Sequence, residues 1–246
     1  MTVKEYLLEK MSHGTIHMTL IDPAKQPPEL AARIAADAEE LGTTAIMIGG
    51  STDVTQENLD KTALAIKDEV KVPLIYFPSG ANAISPHCDA IYFMSMLNSR
   101  DPQMIIREQA RGAPIIKKLG LEPISMGYII IEPGMKVGEV GKADVIKRFD
   151  IDEALSYALA ADLLGMSMVY LEAGSGADRP VPLEMISKVR DTISVPLIVG
   201  GGIKSADIAT KIVRAGANAV VTGTVVESDS FRESLREIIT SIRSCT

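Results

Sequence analysis

The sequence predicts an α/β fold: a (β/α)8 TIM barrel forming a single domain over residues 1–246, with a reduced third helix. Three observations predict it. Short apolar runs without polar alternation, the mark of parallel strands buried on both faces, alternate with helix-length segments along the chain. The length, 246 residues, suits a barrel that typically needs about 250. Near the C-terminus two successive strands end in glycine beside a helix start or a hydroxyl, Ile198-Val-Gly-Gly-Gly-Ile-Lys-Ser205 and Ala219-Val-Val-Thr-Gly-Thr224. That pair describes the phosphate grip found after the last two strands of such barrels.

Residues 2–11 read as a short amphipathic helix ahead of the barrel. Ile16–Ile21 is the first strand and stops at Asp22-Pro23. Pro27–Leu41 is an alanine-rich helix with prolines in its first turn and Gly42 as its stop. Ala45–Gly49 is the second strand, Glu57–Val70 the second helix and Val72–Phe77 the third strand. The rhythm then breaks. Pro78–Asp89 is too short and too proline-bounded for a full helix, and Ala90–Met94 follows at once as the fourth strand. Either the loop has merely drifted, or the outer ring has a gap where an elongated ligand can lie.

Asp101–Ala113 reads as the fourth helix and Ile124–Ile131 as the fifth strand. Glu132–Gly141 is a glycine-rich loop long enough to be a lid. Ile151–Leu164 is a helix stopped by Gly165, and Met168–Glu172 is the sixth strand, flowing into Ala173-Gly-Ser-Gly176. The helix at Pro182–Thr192, the strand at Pro196–Val199, the helix at Ser205–Ala215, the last strand and the helix at Ser230–Ile242 complete the barrel.

Bulk composition narrows the function classes. The chain is 46% hydrophobic, enough for a large core, yet no apolar run approaches the roughly 20 residues of a membrane span. The N-terminus lacks a signal peptide's apolar region, so a cytoplasmic protein is expected. Two distant cysteines, Cys88 and Cys245, argue against a disulfide framework or zinc site, and three histidines cannot build a histidine cage. A net charge of −7 disfavours nucleic acid as a partner. Phosphate must then be held locally, by backbone N–H groups or a metal.

Polar groups collect at the predicted strand ends. Gly200, Gly201 and Gly202 have no Cβ, so an anion can approach their N–H groups, and the helix opened by Ser205 adds its positive end. Asp22 and the Ser51 hydroxyl form a sparse oxygen site of the kind Mg²⁺ uses when substrate phosphates complete its shell, although a lone Asp-Pro also serves as a turn or cap. Glu172 is either a pocket carboxylate or the partner of a buried base; the glycine-rich loop after it favours the pocket. His17, inside the first strand, is expected to be packed or hydrogen-bonded. Lys25 and Lys204 lie near phosphates if the barrel holds, or are simply solvated.

His17-Met-Thr-Leu-Ile-Asp-Pro23, Gly49-Gly-Ser51, Tyr170-Leu-Glu-Ala-Gly-Ser-Gly176, Gly200-Gly-Gly-Ile203 and Val221-Thr-Gly-Thr-Val225 together resemble the geranylgeranylglyceryl phosphate synthase family over nearly the whole chain. The resemblance implies a prenyltransferase of archaeal ether-lipid synthesis that joins sn-glycerol 1-phosphate to geranylgeranyl diphosphate with Mg²⁺. By the family pattern Asp22 and Ser51 hold the metal. Tyr170, Leu171, Glu172, Ala173, Gly174, Ser175, Gly176, Gly201, Gly202, Gly223 and Thr224 hold glycerol phosphate, with Glu172 and Asp22 as the catalytic pair. One position departs from that pattern: an acidic residue often follows the Asp-Pro, and here it is Ala24. Tyr92 and Phe93 should border a long apolar channel for the prenyl tail. A homo-oligomer and transient hand-off of the product to a membrane are expected. Two rivals stand beside this reading: another phosphate-binding barrel enzyme of isomerase or cyclase type, which would need an acid–base partner for Glu172, and a barrel that only senses glycerol phosphate.

Overall fold

In the computed structural model, which describes residues 1–228 and 230–245, eight parallel strands close into a barrel in strict chain order. They are β1 (Ile16–Ile21), β2 (Ala45–Ile48), β3 (Leu74–Tyr76), β4 (Ala90–Met96), β5 (Glu122–Ile130), β6 (Met168–Glu172), β7 (Leu197–Gly200) and β8 (Ala219–Thr222). Around them lie α1 (Val3–Ser12), α2 (Pro28–Leu41), α3 (Gln56–Glu69), α4 (Glu108–Leu119), α5 (Met135–Val140), α6 (Ile151–Leu163), α7 (Leu183–Thr192), α8 (Ala206–Arg214) and α9 (Phe231–Arg243). The predicted domain's last residue, Thr246, lies outside the described residues.

Strand parity explains why the apolar runs show no alternation. Met168 and Tyr170 of β6 join the cluster inside the barrel, while Val169 and Leu171 join the cluster under the helices. Both faces are buried, so both must be apolar. Below, α1 plugs the barrel with Leu7 and Met11. It is anchored by Glu122, whose carboxylate accepts the N–H groups of Val3 (2.6 Å) and Lys4 (2.8 Å) at the helix N-terminus.

The gap after β3 is real: residues 78–89 contain no helix. Side chains of the flanking helices staple the segment instead. Glu108 of α4 accepts the Ala81 N–H at 2.7 Å, and the Gln56 side-chain oxygen of α3 accepts that of Ile84 at 3.0 Å.

Two expectations need correction. The fourth helix does not stop at Ala113. A π-helical turn over Gln103–Arg107 leads into α4, which passes through Pro114 and ends at Gly120 in the left-handed conformation (φ 68°). Proline removes only the bond to the Ala110 carbonyl; both residues are exposed, so water can satisfy that oxygen, while Gly112 and Ile116 stay buried against the barrel. Nor is Glu132–Gly141, expected as a glycine-rich loop long enough to be a lid, a loop throughout, because it carries α5, which lines the larger of the two cavities described below. The Gly134 N–H donates to the Ala173 carbonyl at 3.0 Å, and the Ser99 hydroxyl donates to the Gly141 carbonyl at 2.6 Å, so both ends are pinned. No helix among the described residues is long and apolar enough to cross a membrane.

Candidate active site

The sheet register brings the predicted residues to one level at the mouth of the barrel. Glu172 of β6 lies opposite Gly200 of β7, and Gly200 lies opposite Val221 of β8. The loops that follow these strands therefore leave together, and the glycines let them touch. Gly201 (φ 83°) passes so close to Glu172 and Gly174 that a Cβ would lie 2.5 Å from the Gly174 nitrogen. Gly202 (φ 70°) crosses the Arg179 backbone, which a Cβ would meet at 2.7 Å. The Gly176 N–H donates to the Thr224 hydroxyl at 3.0 Å, and Ser175 and Thr224 hydroxyls lie 3.1 Å apart.

Glu172 is 6% exposed. Its Oε1 accepts the Gly174 N–H at 2.7 Å and its Oε2 accepts the Tyr128 hydroxyl at 3.3 Å, with Tyr170 as a further hydrogen-bonding neighbour. Burial raises its pKa above the ordinary carboxylate value, and the three hydrogen bonds offset part of that rise. Burial, reinforced by the Glu172 charge, pushes both tyrosine hydroxyls well above their usual range, so they stay protonated donors. Among the described residues no basic side chain pairs with Glu172, which leaves the pocket reading and removes the buried-base one. Tyr128 and Tyr170 meet edge to face at 5.2 Å, and Phe77 packs on both, at 5.5 and 5.8 Å. Tyr128 and Phe77 escaped the sequence reading. Tyr128 is signalled only by its register, directly opposite Tyr170.

A cavity of about 40 Å³ opens beside Glu172, lined by Tyr170, Ser175, Gly201, Gly202, Gly223 and Thr224. Lys204 also borders it, while Lys25 lines the larger cavity instead, ion-paired with Glu227 at 2.7 Å. Leu171 and Ala173 do not face this space; their side chains join the outer core beneath the helices. The glycines are not equivalent probes. A side chain at Gly201 or Gly202 must disrupt the loops themselves, whereas Gly223 has an ordinary φ of −125° and a Cβ there would meet Leu20 at an ordinary contact distance of 3.6 Å. If this cavity takes the glycerol 1-phosphate that the resemblance implies, Gly223→Val should fold normally and weaken that binding at least about tenfold by filling the space. Isothermal titration checks this, and unaltered affinity would remove Gly223 from the phosphate grip.

The larger cavity, about 290 Å³, begins at the same place. Leu20, Glu172, Ser175 and Gly223 line both. At its head stand Asp22 and Ser51. Asp22 accepts the Ala24 N–H at 3.0 Å and otherwise presents its oxygens toward Gly50, where a Cβ would lie 2.6 Å from the carboxylate carbon. Burial raises its pKa, with the Ala24 N–H and the Lys25 charge pulling it back. Among the described residues no group of three or more His, Cys, Asp or Glu could hold an ion. One carboxylate and one hydroxyl on a shared cavity wall are hard oxygen donors that fit Mg²⁺ only with substrate oxygens in the remaining positions.

From that head the cavity runs over Phe77 and Met94 into the gap left by the missing helix, between Ile84, Phe93, Gly112 and Ile116. Phe93 faces this groove. Tyr92 borders it too, but its ring is fully buried and its hydroxyl turns inward to the Met18 sulfur at 3.3 Å. His17 contributes no acid–base chemistry: its ring nitrogens are held by Thr43 (3.0 Å) and Thr222 (2.9 Å), and burial pushes its pKa down to about 3.

The matches to known proteins cover the whole barrel. A family model described as the PcrB family matches residues 7–242. Geranylgeranylglyceryl phosphate synthase of Methanothrix thermoacetophila is 52% identical over 93% of this chain and 91% of its own length. Its counterpart from Thermoplasma volcanium is 47% identical over 99% and 97%. Among solved structures, (S)-3-O-geranylgeranylglyceryl phosphate synthase from Thermoplasma acidophilum, in complex with its substrate sn-glycerol-1-phosphate, superposes with a TM-score of 0.97 at 44% identity, covering 99% of both chains.

Proposed function

The chain belongs to the PcrB family, and on that footing we propose that it transfers the geranylgeranyl group of geranylgeranyl diphosphate to a hydroxyl of sn-glycerol 1-phosphate. The observation that carries the reading is the joining of two unlike cavities at Glu172: a small one walled by loop glycines and hydroxyls, and a long apolar one. The first suits glycerol phosphate and the second a prenyl chain. A barrel that only senses glycerol phosphate would have nothing to fill the groove, and an isomerase would need the acid–base partner that Glu172 lacks.

In the transfer the glycerol oxygen forms a bond to the allylic carbon as that carbon's bond to diphosphate breaks, and the hydroxyl loses its proton. Glu172 is placed to orient that hydroxyl and take the proton, since burial has raised its proton affinity and Tyr128 and Gly174 fix its direction. The Phe77, Tyr128 and Tyr170 rings pack on one another next to Glu172, and aromatic surface there would favour positive charge developing on the allylic carbon. Asp22 and Ser51 would hold Mg²⁺, which when bound neutralises charge on the departing diphosphate. A homo-oligomer belongs to the same proposal: α6 is apolar on most sides, and Leu163 and Leu164 near its end are 86% and 70% exposed. Sedimentation velocity would find a mass above 26.4 kDa.

The direct test incubates labelled sn-glycerol 1-phosphate with prenyl diphosphates of ten to twenty carbons and extracts into organic solvent. Label should enter the organic phase, with kcat/KM rising along the series because each added isoprene buries apolar area worth about 25 cal/mol per Å². No transfer with any chain length would overturn the proposal. The groove makes a narrower forecast. At Gly112 a Cβ would meet Ile84, Ala81 and Ile116 at ordinary contact distances of 3.5 to 3.8 Å, so Gly112→Leu should fold and block the groove. It should lower kcat/KM for the twenty-carbon substrate at least tenfold while sparing the ten-carbon one. Equal losses on both would place the tail elsewhere.

A further inference from the structure

The groove is bounded on one side by a helix whose outward surface does not match the rest of the molecule. The whole chain carries 25 basic against 32 acidic residues, yet residues 100–119 carry Arg100, Arg107, Arg111, Lys117 and Lys118 against only Asp101 and Glu108. Both acids are already engaged. Asp101 pairs with Lys142 at 2.7 Å, and Glu108 with Arg111 at 2.7 Å. Arg100, Arg107, Lys117 and Lys118 are exposed and meet no carboxylate within ion-pair distance among the described residues.

Exposed aliphatic side chains lie on the same segment. Ile106, Ile115 and Leu119 are 59%, 42% and 39% exposed. On α4, Ile115 lies three residues after Gly112, and Leu119 three after Ile116, so the exposed pair continues the stripe that lines the groove. The helix that lines the proposed tail site thus also carries exposed aliphatic side chains and unpaired cations toward the outside. A basic helix face with exposed aliphatic residues is the combination that seats a helix on an anionic bilayer.

We propose that the outer face of the π-helical turn and α4 docks this protein on the surface of an anionic lipid bilayer, setting the open side of the groove against the membrane. The proposal rests on the reading of the groove as the prenyl site. It gives that site a route: the tail of a newly made product leaves sideways into lipid without crossing water. A second copy is the poorer occupant, because two like-charged faces would repel, and α6 offers a more apolar surface for self-association.

Flotation of the full chain, without substrates, on vesicles of phosphatidylcholine alone and of equal parts phosphatidylcholine and phosphatidylglycerol tests it. Binding should be confined to the anionic vesicles and weaken as salt is added. Arg107→Gln/Lys117→Gln/Lys118→Gln should bind them about a hundredfold more weakly, while keeping its kcat/KM on the ten-carbon substrate in vesicle-free buffer. The idea is overturned by equal binding to both vesicle types, by an unaffected variant, or by a wild type that transfers prenyl groups and binds neither vesicle. It is also overturned if the variant changes the sedimenting mass, for then the face belongs to a second copy. Anionic-vesicle binding without any prenyl transfer would instead refute the proposed function and leave the docking face standing.

Discussion

Glu172→Gln should lower turnover by about 10²–10⁴ without destabilising the protein. The amide keeps the shape: its oxygen can accept the Gly174 N–H, and its NH₂ can donate to the Tyr128 hydroxyl. What is lost is the charge proposed to receive the proton. Stability should move the other way. Burial raises the Glu172 pKa in the folded protein, so between the unfolded and folded values the native state holds a proton that the unfolded state has released. Stability therefore falls as pH rises through that window, and at neutral pH the folded protein carries a buried carboxylate it would be more stable without. The variant should melt at or above the wild-type temperature at pH 7, with the difference vanishing below the ordinary carboxylate range. Wild-type kcat/KM should decline as pH falls through the raised pKa, and that limb should be missing in the variant. A variant that melts early yet turns over normally would make Glu172 a scaffold residue.

Asp22→Asn should cost at least about a hundredfold in activity, because it removes the carboxylate that stands with Ser51 at the head of the larger cavity, while Glu227 on the same wall is engaged by Lys25. The asparagine oxygen can still accept the Ala24 N–H, so the turn is kept. Ser51→Ala should cost less, since water can replace a hydroxyl ligand. The discriminating measurement is the magnesium concentration needed for half-maximal rate, which should rise for both and most for Asp22→Asn. An Asp22→Asn enzyme with wild-type rate and magnesium response would overturn the proposed metal site.

Much of this was legible because the strand ends of a barrel converge whatever their separation in the chain. Asp22, Ser51, Glu172 and Gly223 could be grouped from sequence for that reason, and the structure sets all four on one cavity. The missing third helix was legible because proline and glycine act locally, through φ and through absent donors. Pro114 misled for the same reason: its local penalty was outweighed by the burial of Gly112 and Ile116, which the chain alone does not reveal. Tyr128 was invisible because its meaning depends on a partner 44 residues away, and only the sheet register makes them neighbours. Lys25 has an ordinary lysine's sequence context, and nothing nearby announces that Glu227 will take it.

The glycine crossings at the barrel mouth make the two substrate sites unequal in their freedom to vary. Gly201 is locked over Glu172 and Gly174, and Gly202 over the Arg179 backbone, so a side chain at either forces three loops to move together. The apolar wall of the groove is made instead largely of separate side chains, among them Ile84, Phe93, Met94 and Ile116, none of which is wedged between crossing loop backbones as those glycines are. Variation in such a lineage is channelled accordingly. New tail lengths are reachable by single substitutions, whereas a new head group requires several compensating changes at once, so the polar half of the product should be the trait that history leaves alone.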